Sequence, residues 1–135
     1  MKTIRNDRKS ERGSATIKFT LVFVVLALLA HAGWNYVPVA YEGASFRQEM
    51  DSAVVKGLAA SGRIKPLEVV QASIRKASND YNIPEDAYVD VKPVSGVIEA
   101  HVAHTRRVNM LPFGIYKYDY DFDYVARPAG YLLKN

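Results

Sequence analysis

The sequence contains no cysteine. That excludes disulfides, thiolate metal sites and thiol catalysis, and it is compatible with any redox compartment. Several chemical signatures are missing as well: no nucleophile elbow, no glycine-rich phosphate loop and no His-Glu zinc motif occurs. An enzyme would have to be assembled from scattered residues that no pattern identifies. The expectation is a non-catalytic chain with no cofactor and no metal. A third scarcity is local, because no Asp, Glu, Lys or Arg occurs between Lys18 and Glu42.

What is present agrees with one modest domain, since 135 residues with 49% apolar composition suffice for a packed core. The formal charge of +4 belongs to the N-terminus. Lys2, Arg5, Arg8, Lys9, Arg12 and Lys18 outweigh Asp7 and Glu11 there, and the remainder of the chain is balanced. A basic head of this kind is a flank and not a nucleic-acid surface.

Residues 19–41 read FTLVFVVLALLAHAGWNYVPVAY. As a helix they cover roughly 35 Å at about 1.5 Å per residue, enough for a hydrocarbon layer of about 30 Å. The basic cluster precedes this run, and Trp34, Tyr36 and Tyr41 stand at its far end, where amphipathic rings favour the membrane interface. The expected organisation is therefore a basic cytoplasmic head over 1–18, a transmembrane helix over 19–41 and an extracytoplasmic domain over 42–135. A rival is a signal peptide cut at the A-x-A pattern Ala30-His31-Ala32. The long polar head and the return of apolar character at Trp34 favour a retained anchor. His31, toward the outer end of the run, reads as a wet interfacial residue.

The residues GSATIKFTLVFVVLALLAHAGWNYVPVAYEG resemble the N-terminus of type IV pilin-like proteins, with a basic leader ending in glycine, an apolar helix, and a proline and tyrosine near the membrane exit. The resemblance implies candidate leader cleavage after Gly13, with Pro38 and Tyr41 at the exit. Polymerising pilins usually carry a glutamate five residues after the cut. Lys18 occupies that place, which reverses the charge used in filament assembly.

Beyond the run, Phe46, Met50, Ala53 and Val54 recur at spacings of three and four and predict a helix over about 40–60, with Pro38 as a kink. Ser61-Gly62 ends it. This helix and its successor could be two separate packed helices, or one long arm followed by a short one. The second helix starts at Pro66, carries Leu67, Val70, Ile74, Ala77 and Tyr81 on one stripe, and stops at Asn82 and Pro84. Period two follows. Val89 and Val91 belong to a first strand, Ser95-Gly96 to a turn, 97–108 to a second strand, 109–115 to a loop with Pro112 and Gly114, and 116–125 to a third strand. The fold class is α+β: a transmembrane helix, then a small αα-βββ domain with a three-stranded antiparallel meander and helices on one face, a pilin-like layout.

YVPVAYEGASF, IRKASNDYNI and RRVNMLPFGIYKYDYDFDY are also similar to a family of uncharacterised bacterial single-pass membrane proteins of unknown function with a pilin-like N-terminus. That likeness implies the bacterial inner membrane, with the C-terminal domain periplasmic. It supplies no catalytic residue.

The segment YKYDYDFDY places a ring at every even position and a charge at every odd one. If strands two and three pair through the loop near Pro112, facing residues have numbers summing to about 224 to 226. The odd face then gathers Glu99, His101, Arg107, Asp119, Asp121 and Asp123 as a candidate interaction face. Tyr116, Tyr118, Tyr120, Phe122 and Tyr124 form the core side with Ile98, Ala100 and Val102. A metal held by Glu99, His101, Asp121 and Asp123 is disfavoured, because carboxylates on a flat sheet do not enclose an ion. His101 and His104 lie three apart on a strand and so face opposite ways. The negative charges between the rings exclude base stacking of the RNA-recognition kind.

The expected function is a membrane-anchored structural or interaction protein whose partners are the lipid bilayer and a membrane or periplasmic protein, with no nucleic acid. The alternatives are an accessory single-pass subunit of a larger membrane complex and a minor pilin-like filament subunit.

Overall fold

The structure, a computed structural model, describes residues 8–60 and 64–128, with side chains from Gly13 onward. Residues 1–7 of the basic head and the Ser61-Gly62 helix stop lie outside the described residues. The element order is α1 (Arg8–Ala59), α2 (Pro66–Asp80), β1 (Tyr88–Val94), β2 (Val97–Asn109), a 3-10 turn (Pro112–Gly114) and β3 (Lys117–Ala126). This is the expected α+β layout. The choice between two helices and one long arm falls to the arm, because α1 is a single helix of 52 residues that continues through Pro38. At about 1.5 Å per residue it is roughly 78 Å long, far more than a domain of this size can cover.

The two halves of α1 have different surroundings. Over the first, Ile17, Phe19, Leu21, Val22, Phe23, Val24, Val25, Leu26 and Leu29 are all exposed. Such positions occupy every side of a helix, so this half is apolar all round and, among the described residues, has no other element against it. By length and composition it can cross a membrane. Over the second half, Phe46, Met50, Ala53 and Val54 are buried along the stripe expected from their spacing.

Helix α2 supplies Val70, Ile74 and Ala77 to the same core, with Leu67 and Tyr81 packed against it. It begins on Pro66, whose missing N–H falls where no intrahelical acceptor exists. It ends in a left-handed Asn82, φ 53°, with the Ile83 N–H donating to the Ser78 carbonyl at 2.9 Å. That six-to-one bond satisfies a carbonyl left open by the last turn. Gly57 sets how closely the helices approach, since a Cβ there would stand 2.5 Å from Val70 Cγ2.

The sheet is an antiparallel meander in the order β1-β2-β3. Val94 faces Val97 across Ser95 and Gly96, both at positive φ, which is the tight hairpin that suits the twist of the strands. The β2–β3 register lies in the expected range, with Arg107 opposite Asp119 and His104 opposite Phe122. Ile98, Ala100, Val102, Phe122 and Ala126 close the core from the sheet side.

One expectation about the aromatic row is corrected. Of its five rings only Phe122 is buried; Tyr120 and Tyr124 are half-buried, while Tyr116 and Tyr118 are exposed. Helix α2 lies over β1 and the far end of β2, leaving α1 alone to cover the end of the β2–β3 hairpin. With no second helix beside α1 at this end, the rings toward the edge of β3 keep one side open to solvent.

Candidate functional site

The outer face of the sheet carries Asp90 and Lys92 from β1, Glu99, His101, Thr105 and Arg107 from β2, and Asp119, Asp121 and Asp123 from β3. Alternation along each strand places them together, as the sequence suggests. Each aspartate of β3 then meets a partner on β2. Asp119 Oδ1 lies 3.5 Å from Arg107 Nε, Asp121 accepts from the Thr105 hydroxyl at 2.7 Å, and Asp123 lies 2.6 Å from His101 Nε2. The row is a ladder of separate cross-strand pairs, each exposed and individually weak.

Glu99 keeps the expected face but is covered there. Its carboxylate is buried and accepts from Arg127 Nε at 2.6 Å, because Arg127 comes opposite it just past the end of β3. Glu99, His101, Asp121 and Asp123 therefore do not converge on one point. Among the described residues no group of three or more His, Asp or Glu side chains is arranged to hold a metal. Tyr88 packs its ring edge-on to His101, with centroids 5.3 Å apart. Lys92 donates to Asp90 at 3.1 Å, and that bond raises the lysine pKa above its ordinary value.

The inner face holds the polar contacts that lock the sheet to α1, and the sequence reading assigned most of them no role. Glu42 accepts from Arg106 Nη1 at 2.6 Å and from Asn82 Nδ2 at 3.3 Å, joining α1, β2 and the end of α2. Tyr124 donates its hydroxyl to Asp51 at 2.9 Å. Burial first, and then this bond, push the phenol pKa up and keep it a donor. Arg47 lies 5.4 Å from the centroids of both Phe122 and Tyr124. The clue was available in part. Arg106 occupies an even position on a strand whose even side faces the helices, so a carboxylate partner there could have been sought.

His104 also belongs to this face, opposite in direction to His101. Its ring stacks on Phe122 with centroids 4.9 Å apart, and Nδ1 is buried with no hydrogen-bond partner. Burial, reinforced by the nearby Arg106 charge, lowers its pKa from the ordinary 6.5, against a smaller opposing pull from Asp86. A folded state that resists protonation is at full stability above the unfolded value and loses stability as pH falls below it. Replacing His104 by Leu should remove that loss, so urea midpoints taken at descending pH below 6.5 should fall less steeply for the variant than for the parent. Equal slopes would show that His104 is not the titrating group.

Three residues expected at the membrane interface separate into two kinds. Trp34 is 84% exposed and Tyr41 71% exposed. Tyr36 packs edge-on to Tyr118 and Tyr120, at 6.1 and 6.2 Å between centroids, and so belongs to the contact between α1 and the sheet. One turn earlier, His31 Nδ1 lies 3.4 Å from the Met110 carbonyl, and Asn35 Nδ2 donates to the His31 carbonyl at 3.0 Å. The domain therefore begins to cover α1 at His31, ten residues before the expected boundary at 41. Gly13, the candidate cleavage point, lies within α1 with nothing close to it. No family model, curated protein or solved structure matches the chain.

Proposed function

We propose that the chain is a membrane-anchored, non-catalytic structural or interaction protein that presents a small α+β domain at the outer surface of the bacterial inner membrane. The observation that carries this is the division of α1. One half is apolar on every side with no other element against it among the described residues, and the other half is the central element of the domain core. The anchor and the domain thus share one uninterrupted helix, which supports a fixed orientation of the domain relative to the bilayer. Lys18 at the inner end would extend its amine to the head groups. The basic head favours the cytoplasmic side, and the domain then stands outside. The ladder of exposed charged pairs and the outer edges of β1 and β3, unpaired among the described residues, are the surfaces that would meet a protein partner.

The test is the distribution and intact mass of the protein in alkali-washed membranes. The anchor reading expects the full chain of 15.1 kDa in the pellet, with protease added to spheroplasts removing the domain. A mass shortened through Gly13 would indicate a processed pilin-like subunit. A soluble chain lacking residues through Ala32 would overturn the anchor. Co-purification of a stoichiometric membrane protein in mild detergent would identify the accessory-subunit alternative.

A further inference from the structure

Four contacts fix the direction of the β2–β3 hairpin along α1. Tyr124 reaches Asp51, Arg106 reaches Glu42, Tyr118 and Tyr120 meet Tyr36, and Met110 meets His31. The hairpin thus runs down the helix toward its apolar half, with its tip foremost. From Arg106 to Met110 a strand advances about 13 Å, and from Glu42 to His31 a helix advances about 16 Å, so the two descend together. The residues beyond Met110 extend further in the same direction.

Those residues are unlike the strands that carry them. From 110 to 116 the chain reads MLPFGIY without a charge, bracketed by Asn109 and Arg107 on one side and Lys117 and Asp119 on the other. Phe113 is 98% exposed, Ile115 73% and Tyr116 54%. Phe113 also has φ 61°, in the left-handed region that a bulky side chain seldom adopts. The turn therefore holds a large ring fully outward, with no packing inside the domain to offset the backbone strain. Along the axis of α1, exposed Leu29 stands just before His31 and exposed Trp34 about one turn after it, so the helix is apolar on both sides of this level.

We infer that this tip is a second membrane contact, with Phe113 and Ile115 inserted among the lipid head groups and upper acyl chains beside α1. The inference rests on the anchor reading proposed above. It places the bilayer surface between Tyr116 and Lys117 on the hairpin, and near His31 to Trp34 on the helix. The span is then about residues 17–34, roughly 27 Å, in place of 19–41. The reason is the hairpin itself: a bilayer reaching Tyr41 would submerge Arg106, Arg107, Lys117 and Asp119, and charges at that depth are expensive. Two insertions at one level would stop the domain from tilting about the helix.

The experiment uses the full chain in phosphatidylcholine vesicles whose acyl chains are brominated either near the head group or near the chain end. Trp34→Phe provides a background in which single tryptophans are added as Val24→Trp, Phe113→Trp, Ile115→Trp or Lys92→Trp. The tip position should lose roughly half its emission to shallow bromines and less to deep ones, as expected for insertion of about 5–10 Å. The helix position should show the reverse order, and Lys92→Trp should lose none. Quenching at Val24→Trp without quenching at Phe113→Trp or Ile115→Trp would overturn the inserted tip and leave the anchor standing. Absence of quenching at Val24→Trp would instead remove the anchor reading. Thermal melts of each variant verify that the domain is intact, and Ile115→Trp keeps the test decisive if position 113 does not tolerate the larger ring.

Discussion

Phe122→Ala is expected to lower the stability of the domain by about 3 to 5 kcal/mol, the range for truncating a buried phenylalanine. The magnitude follows from how many elements meet on this ring. It is 1% exposed, packs 5.6 Å from Phe46 on α1, stacks on His104 of β2 and lies beneath the Arg47 guanidinium. Losing it opens a cavity at the junction of α1 with the hairpin, and neighbours held in a helix and a paired sheet cannot collapse into the space. Total stabilities of small domains are about 5 to 15 kcal/mol, so the variant would retain a small margin or none. In detergent, circular dichroism should show a fall in melting temperature of roughly 4 to 8 °C per kcal/mol. Val125→Ala, three residues along β3 and on its outward face, should change little by comparison. Comparable melts for the two variants would mean that the hairpin is not held to α1 through this ring.

The second large effect concerns the other half of the molecule. Val22→Asp combined with Leu26→Asp places two carboxylates on one side of the bare apolar stretch, one turn apart. Each charge near the centre of a spanning helix opposes insertion by about 2.5 to 3.5 kcal/mol, so the pair opposes it by roughly 5 to 7 kcal/mol. Neither side chain is covered by the domain, and the core is therefore untouched. The double variant should move from the alkali-resistant membrane pellet to the supernatant while its ellipticity at the domain's melting transition stays that of the parent. Retention in the pellet at the parental level would show that hydrocarbon does not hold this helix. Together the two variants separate the anchor from the fold, since the first disables the domain without releasing it and the second releases the domain without disabling it.

The outer face shows how far the candidate site was legible. Alternation identified His101, Arg107, Asp119, Asp121 and Asp123 as companions, and the turn at Pro112 set the register closely enough to match Arg107 with Asp119. Strand geometry allows this because side chains two apart must share a face. Glu99 stands on the face that alternation assigned, but its burial was not legible, because it depends on Arg127, which lies beyond the end of β3 where no alternation signals a pairing. Glu42 could not be matched to Arg106 in advance, since 64 residues and two intervening elements separate them.

By itself the sequence determined the elements and their faces. The stripe from Phe46 to Val54, the stripe from Val70 to Ala77, the Ser95-Gly96 turn and the odd-even division of β3 all stand where the periodicity placed them. These features are local, because the repeat of a helix or a strand is set by its own backbone. It also showed that one run is apolar enough to cross a membrane. Only the tertiary structure decided where that run stops being available to lipid. His31 and Met110 are 79 residues apart, and their contact depends on how the hairpin lies along α1. The absence of charge counts residues that lipid can accept, whereas the packed hairpin fixes which of them lipid can reach, and Tyr36 passes from the first group to the domain by meeting Tyr118 and Tyr120.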